Sequence, residues 1–293
     1  MTHTSLKTSR QGAISALAAY LCWGMFPLYF KALAGVESIE VLCHRIAWGV
    51  LSTVVLVVML NKAEALVAVF RDRKRLLGLI ASAICITINW GVYIWSVGHH
   101  HALDASIGYY VLPLVSVVLG ALVFKERLTP RQMASVALVV VGVIVLASGL
   151  QGFPWIVVVL SLSFGGYGLL RKMVPVDALV GLAVETLLLC PIAIVYLLTR
   201  EGGGAFFNSD GLTTALLVIS GPVTAVPLVL FAYGARRLKL STLGLMQYIN
   251  PTMQMSIAVL LFGESFTMTH AVTFAFIWGG LLLYSLPSKR RDG

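Results

Sequence analysis

Long apolar runs separated by short polar stretches dominate the sequence. Ten of these runs are close to the roughly 20 residues that a membrane-spanning helix requires. They predict ten spans, numbered 1 to 10 in chain order. The predicted spans cover 12–33, 38–60, 76–98, 105–124, 132–149, 153–170, 178–199, 213–235, 241–262 and 270–286. The connections between them are too short to hold a soluble domain.

A short glycine-containing break after span 5, at residues 149–152, divides the spans into two sets of five. We therefore predict two five-helix halves, flanked by an N-terminal segment and a basic C-terminal tail. These four parts cover 1–11, 12–149, 153–286 and 287–293.

Positive charge is distributed unevenly among the connections. Of the 21 Lys and Arg residues, 18 lie at the termini or in even-numbered connections, and the odd-numbered connections hold Arg200 alone. Lys31 and Arg45 lie inside spans 1 and 2. Because Lys and Arg concentrate in cytoplasmic loops, this alternation predicts that both termini are cytoplasmic. One missed or invented span would destroy the alternation.

The composition agrees with a lipid environment. Only 11% of residues are charged and the mean hydropathy is +0.92, whereas soluble domains contain about 25% charged residues. The net charge of +9 lies in short loops, which argues against nucleic-acid binding, since that requires a basic patch on a soluble fold. The four cysteines have no metal-ligand spacing, so we expect neither a metal nor a cofactor. They are Cys22, Cys43, Cys85 and Cys190.

A short motif occurs once in each half. Tyr110-x-x-Pro113 precedes Glu126-x-Leu-Thr, and Tyr248-x-x-Pro251 precedes Glu264-x-Phe-Thr, at a constant offset of 138 residues. Repeats separated by five helices must lie in opposite orientations, which predicts an inverted repeat with Glu126 cytoplasmic and Glu264 periplasmic. Inverted repeats are the usual architecture of secondary transporters.

At these residues the chain resembles the drug/metabolite transporter superfamily with two EamA-type halves, and within it the RarD group. Further signs are Trp23 to Lys31, His44-Arg45, Asn89-Trp90 and Tyr248 to Thr252. The resemblance covers nearly the whole chain. It implies an all-α ten-helix fold in the bacterial inner membrane and a cavity between the halves. It also implies export or exchange of small metabolites, and the group carries a label of chloramphenicol sensitivity or resistance.

Two charged residues lie deep inside predicted spans. Arg45 and Glu185 are each seven or eight residues into spans 2 and 7, which are counterparts in the two halves. A charge at that depth costs a few kcal/mol or more unless it is paired or hydrated. The functional interpretation is a cavity pair that binds a charged substrate or carries a proton. The alternatives are a structural ion pair between the halves or a snorkelling Arg45.

Aromatic and amide side chains also cluster in the predicted cavity spans. An apolar pocket with a few polar groups suits a drug-sized or amino-acid-like ligand, while interfacial aromatic belts are the alternative. The predicted cavity residues are Trp23, Asn89, Trp90, Tyr93, Tyr110, Tyr248, Asn250 and Gln254. Pro113 and Pro251 recur at the same place in both halves and are predicted hinges, because proline kinks helices.

These features favour a secondary transporter that works by alternating access, with the bilayer and a small-molecule substrate as its partners. Proton coupling and uncoupled exchange both remain open. The alternatives are an intramembrane enzyme, a passive channel and a non-transporting assembly partner. The sequence has no His-Glu-x-x-His motif, no acidic cluster and no nucleotide-binding motif, which argues against an enzyme and against direct ATP use.

Overall fold

The computed structural model describes residues 3–125, 128–149, 153–235, 237–238 and 246–285, and all regular structure in these ranges is helical. The helices are α1 His3–Gly24, α2 Phe26–Ala32, α3 Ser38–Met59, α4 Ala63–Arg71, α5 Arg73–Gly98, α6 Ala102–Phe124, α7 Pro130–Gly149, α8 Trp155–Met173, α9 Ala178–Leu198, α10 Gly204–Asn208, α11 Gly211–Ala235, α12 Ile249–Leu260 and α13 Met268–Ser285. A single 3₁₀ turn, Glu201–Gly203, precedes α10.

Nine stretches within these ranges are long and apolar enough to cross a membrane, with α1 and α2 together forming the first. Their outward faces carry large apolar side chains such as Leu51, Ile84 and Leu122. Apolar surface of this extent is stable only in lipid. The chain is therefore a multi-pass membrane protein. Predicted span 9 overlaps α12, but its first part, 241–245, lies outside the described residues, as do 150–152, 287–293 and Glu126.

Three local features differ from the predicted spans. The first span breaks at Met25, and Pro27 lies in the first turn of α2, where proline is tolerated because its missing N–H needs no partner. The connection after span 2 contains the short helix α4. Helix α5 begins at Arg73, because the Asp72 carboxylate accepts hydrogen bonds from the backbone amides of Lys74 and Arg75.

Contacts between connections sort the helix termini into two ends of the bundle. At one end, Lys62 pairs with Asp177 and Lys172 lies over the ring of Phe124; we call this the basic end. At the opposite end, Glu264 bonds to the start of α6 and Arg200 pairs with Glu37. The helices whose termini make these contacts therefore run from one end of the bundle to the other.

Helices α7 and α13 pack against each other through reciprocal contacts. A Cβ on Gly142 would lie 3.2 Å from the carbonyl oxygen of Thr273, and a Cβ on Gly280 would lie 2.8 Å from that of Ser135. Gly280 is Gly142 plus 138, and Thr273 is Ser135 plus 138. Residues at the repeat offset therefore make equivalent contacts across this pair of helices.

Replacing Gly280 by leucine is expected to destabilise the bundle by about 1–3 kcal/mol, because the added side chain collides with the α7 backbone. The neighbouring Gly279 has no heavy atom within 4 Å of its Cβ position, so Gly279→Leu is the matched control. Thermal unfolding in detergent measures both. Equal midpoints for the two variants would show that the α7–α13 contact is wrong.

Candidate functional site

Arg45 lies in the bundle interior, surrounded by aromatic rings. Only 5% of the residue is exposed, and its guanidinium carbon lies 4.0 Å from the ring centre of Trp90. Phe26 and Phe30 lie 5.5 and 5.4 Å from the same atom. The Nε atom donates a hydrogen bond of 2.9 Å to the Thr224 hydroxyl. Helices α2, α3 and α5 of the first half and α11 of the second half therefore meet at this cation.

A hydrogen-bonded layer of polar side chains lies beside Arg45. The Tyr109 hydroxyl donates to the Asn89 side-chain oxygen at 3.0 Å, and the Asn89 amide donates to the Leu160 carbonyl and the Ser163 hydroxyl. The Tyr93 ring lies 5.7 Å from that of Tyr109, and the buried Tyr93 hydroxyl has no hydrogen-bond partner in the part of the chain that the structure describes. Asn89 thus joins α5 and α6 to α8, and Tyr93 leaves one buried donor unused.

Glu185 lies in a separate polar cluster and does not pair with Arg45. Its carboxylate accepts hydrogen bonds from Ser82 at 2.5 Å and Tyr167 at 3.4 Å, and Nη1 of Arg171 lies 3.7 Å away. Glu185 is fully buried, whereas 13% of the Arg171 side chain is exposed. This cluster connects α5, α8 and α9.

The sequence analysis missed Arg171, because its place near the end of span 6 assigned it to the connection. It lies in the last turn of α8, and its guanidinium packs directly on Gly181 of α9. A long basic side chain at a span end can reach back along the helix. Glu185 is a buried acid that needs a counter-charge, and Arg171 lies 14 residues before it in the same half, which is the signal that could have identified it.

The other predicted cavity residues form a third group around α12. The Gln254 amide donates to the Asn250 side-chain oxygen at 2.7 Å and to the Trp23 carbonyl at 3.2 Å. Tyr110 and Tyr248, which are counterparts at the repeat offset, stack with ring centres 6.3 Å apart. The predicted site residues thus fall into three groups, centred on Arg45, Glu185 and Gln254.

The two predicted hinge prolines occupy different positions in their helices. Pro113 lies inside α6, where it removes one backbone hydrogen bond. Pro251 lies in the first turn of α12, where the amide would have no helical acceptor. A proline-induced kink is therefore expected at Pro113, while Pro251, the third residue of α12, is not expected to kink its helix.

The carboxylate of Glu264 binds the beginning of a helix in the other half. Its two oxygens accept hydrogen bonds from the backbone amides of Ala102 at 2.9 Å and Leu103 at 2.8 Å. A negative charge at a helix N-terminus also interacts favourably with the helix dipole. Glu264 therefore holds the two halves together at the opposite end.

The histidine-rich turn at the same end makes polar and stacking contacts. His99 stacks on Trp95 with ring centres 4.4 Å apart, and the His101 ring nitrogen lies 3.0 Å from the Asp104 carboxylate. Among the residues that the structure describes, no group of three His, Cys, Asp or Glu could hold a metal ion.

Asp177 links the halves at the basic end. Its carboxylate caps α9 through the amides of Leu179 and Val180 and lies 2.6 Å from Lys62 Nζ. Partial burial raises its pKa, but the hydrogen bond and charge of Lys62, together with the two amides, lower the pKa overall from 3.8.

We expect the stability difference between the parent and Asp177→Asn to be constant above pH 3.8 and to shrink as the pH falls below it. The unfolded carboxyl binds its proton at a higher pH than the folded one, so acid favours unfolding of the parent. Asparagine retains the helix cap, so this variant isolates the charge. Unfolding midpoints measured from neutral to acidic pH give the difference; one that is independent of pH would contradict the Lys62–Asp177 bond.

Comparisons with known proteins identify the relatives of this chain. A model of the EamA-like transporter family matches residues 10–148. An uncharacterized transporter of Pseudomonas aeruginosa is 43% identical over 96% of this chain and 95% of its own length. Protein RarD of Escherichia coli is 39% identical, and the uncharacterized transporter YojE of Bacillus subtilis 38%, each over 96% of both chains. A crystal structure with 17% identity shares the fold, with a TM-score of 0.62 over 96% of this chain and 98% of its own.

Proposed function

The chain belongs to the EamA-like transporter family, in its RarD group, and from this membership we propose that it is a secondary transporter of small metabolites or drugs that works by alternating access in a bacterial inner membrane. The observation that carries the proposal is the group around Arg45. It is built from α2, α3 and α5 of one half and α11 of the other. A solute bound there contacts both halves, so rocking of one against the other changes its exposure.

The contacts at the two ends support alternation. Glu264 of the second half binds α6 of the first at the opposite end. Lys62 of the first half binds Asp177 of the second at the basic end. Each end is thus closed by a polar contact between the halves. Breaking one contact while the other persists opens a path to one side of the membrane only.

The reciprocal packing of α7 on α13 supports the two-fold relation that such a cycle uses. In an inverted-repeat transporter the halves exchange conformations around a fixed site. The stacking of the counterpart residues Tyr110 and Tyr248 agrees with an axis that passes between α6 and α12. The outward-open and inward-open forms then have nearly equal energies.

Counterflow into proteoliposomes tests the proposal. Liposomes are loaded with one unlabelled solute from a panel of amino acids, amines, small organic acids and chloramphenicol-like drugs. For a solute that the protein carries, they are expected to accumulate the labelled form transiently, which a channel does not do. A pH gradient separates proton coupling from exchange. We expect Arg45→Ala and Glu185→Gln each to reduce the transport rate at least about tenfold, because each variant loses a charged contact. Glu201→Gln, in an exposed loop, is the control and should leave the transport rate unchanged. Leak without counterflow, or full activity in both site variants, would contradict the proposal.

A further inference from the structure

We propose that Arg45 anchors the carboxylate of a small organic acid with an apolar ring, and that this class, and not amino acids or amines, is what the protein carries. The inference rests on the proposed transport function, since it assigns the substrate class of the same site. It follows from a charge that the described residues leave uncompensated, from unused hydrogen-bond donors beside it and from the rings around it.

Arg45 differs from the other buried charged groups in having no counter-charge. Glu185 has Arg171 at 3.7 Å, and Glu40 has Arg200 at 3.7 Å and the backbone amide of Ala205. In the described ranges no carboxylate lies within 4.0 Å of the Arg45 guanidinium. Contacts with aromatic faces recover about 2 kcal/mol for a desolvated cation, which is less than the several kcal/mol that burial of an ion costs.

The donors of this cation point to the ligand's geometry. The hydrogen bond to Thr224 uses Nε, and the structure gives the two terminal nitrogens of the guanidinium no acceptor among the described residues. Tyr93 is 3% exposed, and its buried hydroxyl also lacks a hydrogen-bond partner among the described residues. A carboxylate presents two oxygens that match a guanidinium edge in a bidentate pair, with a lone pair left for a tyrosine hydroxyl.

The surroundings restrict the rest of the ligand. The rings of Trp90, Phe26 and Phe30 lie 4.0 to 5.5 Å from the guanidinium carbon, so a ligand paired with Arg45 has aromatic surroundings, which favour an apolar body over a polar one. One cation balances one negative charge, which favours a monocarboxylate over a phosphate ester. An amino acid would bring an ammonium group that needs its own anionic partner, and Glu185, the buried acid of α9, is already occupied by Arg171 and Ser82.

Binding of benzoate, benzamide and phenylalanine to the purified full-length protein in nanodiscs tests this inference. Benzamide has the shape of benzoate without its charge, and phenylalanine adds an ammonium group. Tryptophan fluorescence and thermal unfolding report binding without any need for transport. We expect benzoate to bind at least about tenfold more tightly than benzamide or phenylalanine, equivalent to about 1.4 kcal/mol.

Two variants locate the binding. Arg45→Gln is expected to remove the preference for benzoate, and Arg45→Lys to retain part of it, because lysine keeps the charge but loses the planar fork. The comparison of benzoate with benzamide in the parent protein needs no variant, so misfolding of Arg45→Gln leaves the test intact. Equal effects of benzoate and benzamide, including no effect of either, would overturn the inference, as would benzoate binding that survives in a folded Arg45→Gln.

The result of this binding test can be distinguished from the result of the counterflow test of the proposed function. If the protein shows counterflow of another solute but does not prefer benzoate, the transport function is supported and the organic-acid assignment is wrong. If benzoate binds through Arg45 but no solute shows counterflow, the binding site is supported and the transport function is wrong.

Discussion

Arg171→Met is expected to destabilise the protein by about 3–5 kcal/mol, the cost of leaving a buried charge without its partner. Glu185 is fully buried and has Arg171 as its counter-charge within the described chain. Ser82 and Tyr167 donate hydrogen bonds to the same carboxylate, but neither carries a charge. The isolated carboxylate would have to bind a proton or draw water into the bundle.

A double-mutant cycle distinguishes this pairing from simple loss of packing. Glu185→Gln removes the charge, so Arg171→Met combined with Glu185→Gln is expected to be more stable than Arg171→Met alone. Lys172→Met, at the next residue, is the control, because Lys172 contacts the ring of Phe124 and no carboxylate. Thermal unfolding in detergent supplies the midpoints of the four proteins of the cycle and of the control. A double variant as unstable as the sum of its parts would show that the pair makes no contribution.

A second variant probes the same contact from α9. A Cβ on Gly181 would occupy the position of the Arg171 guanidinium. Gly181→Ala should therefore displace Arg171 and reproduce part of the destabilisation. Its effect should vanish in the Arg171→Met background, because the colliding group is then absent.

Glu264→Ala is expected to open the opposite end of the bundle at least about 100-fold more often, because it removes two hydrogen bonds. Hydrogen bonds to a charged group contribute about 1.5–3 kcal/mol each, and every 1.4 kcal/mol is about a tenfold change in population. The variant leaves the amides of Ala102 and Leu103 without the carboxylate that now binds them. The closed form of this end should therefore lose most of its free-energy advantage over the open form.

Labelling of a cysteine at position 224 measures this opening. Position 224 reports on the central site because Thr224 is hydrogen-bonded to Arg45. The four native cysteines are replaced beforehand so that only position 224 reacts; they are Cys22, Cys43, Cys85 and Cys190. A membrane-impermeant maleimide added from the side of the opposite end should react faster in Glu264→Ala. Glu201→Ala, an exposed glutamate at the same end, is the control. Unchanged rates would mean that Glu264 is not part of the closure.

The sequence predicted the all-helical membrane fold because hydrophobic run length and the distribution of Lys and Arg are both local signals. It placed Arg45, Asn89, Trp90 and Tyr93 among ten residues of one predicted cavity; the structure brings these four close together and puts the other six in separate groups. Helical spacing places Trp90 and Tyr93 on one face of α5, and a charge inside an apolar span is conspicuous in any sequence. Their role in binding stays a prediction.

The partners of the charged residues could not be predicted in the same way. Arg45 and Glu185 occupy equivalent spans, which left a direct pair between them open, and the structure pairs Glu185 with Arg171 at the end of the preceding membrane helix. Glu264 marks the repeat motif, yet its acceptor role at α6 depends on a contact across 161 to 162 residues of chain. Such pairings follow from how helices pack in three dimensions, and residue spacing along one sequence does not determine them.

The most direct measurement combines closure of one end with access to the central site. Cysteines at positions 102 and 264, where the structure joins the halves at the opposite end, are crosslinked by a short bismaleimide in a protein that also carries Thr224→Cys. Inside-out and right-side-out vesicles then expose position 224 to an impermeant label from either side. Alternating access predicts labelling from both sides before crosslinking, and from the side of the basic end alone afterwards. Labelling from the opposite side that persists after crosslinking, or none from either side beforehand, would contradict it.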